Sequence, residues 1–224
     1  PPPPAPTAAP AAKPSVNLSK ITLEKKGDTI SLEKKASTFG KIHVNLNWNQ
    51  NTSGGSAKKG LLGSLMGGNR DGRIDLDLGC MYEFQDGSKG IIQALGNHFG
   101  SLEGAPYIFL DGDDRTGAVS AGENIYINGR HWNDIKRIML FAFIYEGVPN
   151  WAQTDGRVVI STPDQPEIEI RLDAAGRDQN FCVIAMLENR HGALNIAKEV
   201  NYFPGHRQAD NAYRFGFEWK AGRK

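Results

Sequence analysis

Two runs, Ile138-Met-Leu-Phe-Ala-Phe-Ile-Tyr145 and Phe181-Cys-Val-Ile-Ala-Met-Leu187, carry an apolar side chain at every position. Successive side chains of a strand face opposite ways, so each run predicts a strand covered on both faces at the centre of the core. Around them the pattern alternates. Ile42, Val44 and Leu46 interleave with His43, Asn45 and Asn47; every even residue from Ile74 to Phe84 is apolar, Cys80 included; Ile168, Ile170 and Leu172 point inward against Glu167, Glu169 and Arg171. Tyr213, Phe215, Phe217 and Trp219 alternate in the same way, which predicts a closing strand with an aromatic inner face. Strands at this spacing with no long helical pattern between them predict an all-β chain, a two-sheet antiparallel β-sandwich with short helical turns in its loops.

The connections carry ordinary turn chemistry. Lys26-Gly27-Asp28 between two short alternating runs predicts a hairpin over residues 21–34, and Asn128-Gly129-Arg130 a turn. Trp132 to Lys136 reads as one helical turn, and Asn195 to Tyr202 as a strand or a short helix. Residues 1–16 are Pro/Ala-rich and predict a stiff extended linker, leaving 17–224 as the folded domain. A linker, on a chain beginning at Pro1, predicts a preceding domain in a longer parent.

Composition excludes several classes. Basic and acidic residues number 26 and 25, so no global field draws the chain to nucleic acid or an anionic membrane. No segment has the apolar length to span or insert in a bilayer, which predicts a cytoplasmic domain. Cys80 and Cys182 each lie inside an apolar run and are expected to be buried thiols, not nucleophiles or a disulfide. Residues 51–73 are rich in Gly, Ser, Asn and Lys, but Lys59 is followed by Gly60, so no nucleotide loop is present.

The chemistry concentrates in acidic residues. Asp111, Asp113 and Asp114 fall in one Gly-bounded loop between apolar runs, with Gly122-Glu123 at its far side. Carboxylates packed this closely repel one another unless a cation or an Arg neutralises them, and Asp-Gly turns supply oxygen ligands with the bends that converge them. Asp75 and Asp77 share one face of their strand about 7 Å apart, half of a cation site. Arg115 within the loop offers the alternative, a metal-free ion-pair network.

These residues also carry a resemblance. Leu23-Glu-Lys-Lys-Gly-Asp-Thr-Ile-Ser-Leu-Glu33, Asn47-Trp48-Asn49, Asp75-Leu-Asp77 and Gly112-Asp-Asp-Arg-Thr-Gly117 resemble the TerD-domain family of bacterial tellurite-resistance and stress proteins. Leu76-Asp-Leu-Gly-Cys-Met-Tyr82, Gln93-Ala-Leu-Gly96, Phe141-Ala-Phe-Ile-Tyr-Glu-Gly147 and Leu187-Glu-Asn189 look most like its TerA subgroup. The resemblance implies a β-sandwich and a non-enzymatic interaction module that binds calcium (Ca2+) in an assembly of related Ter-family proteins, near a membrane-embedded partner at the inner face of the membrane. Its ligands would be Asp75, Asp77, Asp113, Asp114 and Glu123, with Asn49 and Asp111 as further candidates. Asn49 stands where the family has a carboxylate, and Glu123 is the only acid left after Thr-Gly, so one well-formed site is expected and a second weakened or lost. Two other functions share the carboxylates: a calcium-dependent carbohydrate-binding sandwich, marked by exposed aromatic rings at the ion, and a glycosidase using a carboxylate pair.

Overall fold

The computed structural model describes residues 20–49, 74–111, 122–146, 151–172 and 179–219. The predicted linker, the Gly-rich segment 51–73, and Asp113, Asp114 and Arg115 lie outside the described residues. In chain order the elements are β1 (Ile21–Leu23), β2 (Thr29–Leu32), β3 (Lys41–Asn47), β4 (Asp75–Phe84), β5 (Lys89–Ile92), β6 (Gly100–Ser101), β7 (Ile108–Asp111) and β8 (Glu123–Asn128). There follow β9 (Ile135–Glu146), α1 (Trp151–Thr154), β10 (Arg157–Ser161), β11 (Ile168–Arg171), β12 (Phe181–Arg190), β13 (Ala193–Phe203) and α2 (His206–Tyr213).

The described strands form two facing sheets, ordered β1-β11-β10-β3-β8-β7-β6 and β2-β13-β12-β9-β4-β5. Between them lies the main core, built from Ile42, Val44 and Leu46 of β3, Leu76, Leu78 and Cys80 of β4, Ile125 and Ile127 of β8, and Ile138, Leu140 and Ile144 of β9. The alternation that predicted an inward face therefore delivers it. β9 and β12 are central strands, as their unbroken apolar runs require, and their second faces meet a second core. Met81, Met139, Phe141, Phe143, Phe181, Val183 and Met186 pack there under Ala209 of α2 and Phe215 of the following tail.

That second core corrects the closing strand. Tyr213 ends α2, Arg214 turns left-handed at φ 56°, and residues 215–219 run on without strand pairing. The tail amides of Gly216 and Phe217 donate to the Asp210 carboxylate at 2.7 and 2.9 Å, which takes the place of a neighbouring strand. The hairpin over 21–34 is also corrected. The turn forms, with Glu24 and Lys25 N–H on the Asp28 carboxylate, but β1 joins β11 in one sheet and β2 joins β13 in the other. Backbone bonds between Gly27 and Lys198 and between Lys198 and Asp28 pin the turn to β13, so it spans the layers.

Three smaller differences have local causes. The β1–β11 pair is parallel in an otherwise antiparallel fold. The helical turn is a 3₁₀ turn at Gly129–His131, after which β9 begins at Ile135 and not after Lys136. Glu169, expected to face outward into water, is buried because Lys20 and Arg171 close over it at 2.8 and 3.2 Å. Residues 195–202 are strand, within β13. Trp132 and Trp151 are core residues whose indoles donate to Ala193 O and Gln179 O.

Candidate functional site

One end of the sandwich gathers the predicted residues. β3 and β7 finish there and β8 begins there, with Leu46 opposite Glu123 and Asp111 opposite Asn124. The start of β4 joins them, since the Trp48 indole donates to Ile74 O at 3.1 Å across the two sheets. Asp111 and Gly122, which flank the segment bearing Asp113 and Asp114, both belong to this end.

Asp75 and Asp77 do share the face away from the main core, yet that face is not solvated as a free outer surface would be. Asp77 is only 5% exposed. Both residues line a pocket of about 170 Å³ whose wall is the turn Ala94-Leu95-Gly96-Asn97, with Tyr145 at its rim. The turn closes through Asn97 N to Ala94 O, and backbone bonds in both directions join Gln93 to His98 at its base. Gly96 at φ 79° and Asn97 at φ 59° take left-handed conformations, which these two residue types adopt most readily. The remaining described large hydrophobics that stand exposed, Leu95 at 48% and Tyr145 at 56%, are both on this pocket.

Glu123 is buried and approaches β4 from the other sheet, where its Oε2 accepts the Leu78 N–H. The reason is visible in the pairing: β5 covers β4 only from Cys80 onward, so the Leu78 N–H has no strand partner on that side. Gly122 makes the approach possible, because at φ 70° a Cβ would sit 2.0 Å from Leu46 O. Asn49 and Asp111 are exposed at this end but do not line the pocket; the Asn49 N–H is held by Thr154 O at 2.7 Å. Asn124 closes the adjacent row, its Oδ1 bonded to His43 Nε2 and Asn45 Nδ2.

Thus the structure brings Asp75 and Asp77 onto one pocket, sets Glu123 against the β4 backbone from the opposite sheet and outside that pocket, and leaves Asn49 and Asp111 at the periphery. Among the described residues, no three His, Cys, Asp or Glu side chains gather as a metal-holding group. The pocket's donors are nonetheless hard oxygens, two carboxylates and the Asn97 carboxamide, the chemistry that calcium takes and that zinc or copper does not favour. Asn97 was not among the sequence candidates; its only signal was a Gly-Asn pair in a turn. His98 is exposed in that turn. Cys80 and Cys182 are free, buried thiols, and burial pushes both well above the usual thiol range.

No family model matches the chain. Over 209 residues, 93% of its length, it is 46% identical to the tellurium resistance protein TerA of an Alcaligenes species, and it spans 60% of that protein. A stretch of 56 residues, 25% of each chain, is 45% identical to the tellurium resistance protein TerZ of Serratia marcescens. The fold is similar to the crystal structure of a homologue of the telluride resistance protein TerD from Streptomyces coelicolor, at TM-score 0.50 and 14% identity over 79% of this chain and 98% of that one. It is also similar to a solved protein of unknown function, at TM-score 0.53 and 12% identity over 80% and 98%. Over nearly its whole length the chain is thus similar in sequence to a TerA protein, and its sandwich is similar in fold to that of a TerD homologue.

Proposed function

We propose that the chain is a calcium-binding, non-enzymatic interaction module of a tellurite-resistance and stress-response assembly, working in the cytoplasm with related Ter proteins. The observation that carries this reading is the pocket that holds Asp75, Asp77 and Asn97 at the end of the sandwich where Asp111 and Gly122 flank the acidic segment. Asp75 and Asp77 would supply charge, Asn97 a neutral oxygen, and Asp113 and Asp114 the remaining carboxylates of a site that needs six to eight oxygens. Glu123 contributes chiefly by fixing β4 beneath the pocket. Among the described residues no helix is long and apolar enough to cross a membrane.

Thermal melting tests the reading. Calcium at a hundred times its dissociation constant should add about 2.7 kcal/mol, a rise of roughly 5–10 °C for a domain of this size. Magnesium should do much less, and Asp75→Asn with Asp77→Asn should abolish the calcium response. An equal rise in the double variant would sink the assignment.

Tyr145 favours a second reading, a carbohydrate held at the ion, because its exposed ring stands on the same pocket as the carboxylates. Sugar binding on a glycan array that vanishes with chelator and with Tyr145→Ala would select it.

A further inference from the structure

The strap formed by α2 and the tail to Trp219 covers the outer face of the sheet that contains β9 and β12, and it also grips β5 at both ends. At the start of β5, the Lys89 ammonium donates to Phe215 O at 2.6 Å and Gly216 O at 2.9 Å and lies over the Phe217 ring. Just past its end, Gln93 Oε1 meets His206 Nε2 at 2.8 Å. β5 has four residues and is an edge strand, paired on one side only. Such a strand has little stability of its own. It leads directly into the turn that walls the Asp75–Asp77 pocket.

We infer that this strap positions the pocket: His206 and Lys89 hold β5 and the turn 94–97 in place, so that docking of the strap and the shape of the pocket are one coupled equilibrium. Each link is geometrically specific. His206 sits among Phe141, Phe143, Phe181 and Trp219 with ring centroids 4.7–5.6 Å away, so the imidazole cannot follow a displaced Gln93 without leaving its cage. Gln93 is itself buried, and its backbone closes the turn onto His98. The strap is anchored independently of the pocket by Asp210, which takes Gly216 N, Phe217 N and Trp219 Nε1 within 2.9 Å, and by Arg137, which donates to Tyr213 O and Arg214 O. By reciprocity, whatever stabilises the pocket must stabilise the docked strap by the same factor. The consequence for an ion rests on the calcium reading, whereas the coupling itself does not.

Amide hydrogen exchange on the intact 224-residue chain tests the coupling with two variants. Asp210→Ala frees the tail at a point remote from the pocket; exchange should rise about tenfold or more across 206–219 and, together with it, across 89–98, while 41–47 and 123–128 keep their protection. His206→Phe keeps a ring in the aromatic cage but removes the bond to Gln93; exchange should rise at 93–98 with 206–219 still protected. Protection of 93–98 at the wild-type level in His206→Phe overturns the inference, and that variant decides the matter if Asp210→Ala does not fold. Calcium titration by calorimetry separates the two proposals. A wild type that binds, and an Asp210→Ala that binds roughly tenfold more weakly, supports both; a wild type that shows no calcium binding removes the calcium reading and leaves the exchange result to stand by itself.

Discussion

Glu123 reaches across the core to an N–H that no strand serves, and that makes its carboxylate separable into two roles. Glu123→Gln retains an acceptor for Leu78 and should leave the metal-free fold almost as stable as wild type. Glu123→Ala orphans a buried donor and should cost about 1–3 kcal/mol, read as a lower midpoint in chemical denaturation with chelator present. If both variants cost the same small amount, the bond does not hold β4. The neighbouring Gly122 gives a stricter case: Gly122→Ala forces a Cβ onto the Leu46 carbonyl at a positive φ and should destabilise by more than the loss of the Glu123 bond alone. Residue chemistry was only partly readable here. Asp75 and Asp77 announce themselves as a strand-spaced pair, but the burial of Asp77 and the tie of Glu123 to Leu78 depend on which strands become neighbours, and no local pattern encodes that.

Among the elements, the legible ones are those whose own pattern states their environment. β9 and β12 read as doubly covered strands because every position is apolar, and β3 and β11 show their inner faces by alternation. α2 has no such signature: the side chains it buries are Ala209 and Asp210, so it offers no apolar stripe to read. The aromatic alternation from Tyr213 to Trp219 belongs instead to a tail wrapped over a second core. The hairpin reading of 21–34 failed for a related reason, since a turn signal fixes a reversal and not the sheet that each arm enters. The strap gives a pH prediction. Burial lowers the His206 pKa to about 4 from 6.5, and the recorded partners of its ring are four aromatic side chains and the neutral Gln93 amide. The unfolded chain therefore takes up a proton below about pH 6.5 that the folded chain refuses until about pH 4. Stability is full above 6.5 and falls as pH drops through this window, by up to about 3 kcal/mol. Three carboxylates act lower down, the exposed Asp86 through its bonds from Ser88 and the other two through cations. Lys20, and then Arg171 against burial, hold Glu169 low; for Glu83 burial acts upward, but bonds from Lys136 and Arg137 outweigh it. Their stabilisation is present above about 4.5 and lost below it, so among the described groups with a resolved shift His206 is the one that acts between 6.5 and 4.5. Denaturation midpoints should fall across it in wild type and stay nearly flat in His206→Phe; equal slopes would show that the imidazole is not kept neutral by the strap.

At the scale of the molecule, the two cores share one sheet, yet the strap covers only the outer one. Cys80 and Cys182 lie in the inner core, between the sheets, and both are fully buried. Opening the strap uncovers Met81, Met139 and the Phe141–Phe143–Phe181 face without reaching either thiol, whereas separating the sheets exposes both at once. Thiol labelling thus distinguishes a local event from a global one. For the wild type near pH 8, a disulfide exchange reagent should modify both cysteines slowly and at one common rate, equal to that of global unfolding. In Asp210→Ala the strap should exchange its amides faster while labelling accelerates only as far as the loss of global stability dictates. Labelling of Cys182 well ahead of Cys80 would mean that β12 and β13 part from the sandwich as a unit of their own, and the strap would then be reporting on the sheet edge and not solely on the pocket it is argued to shape.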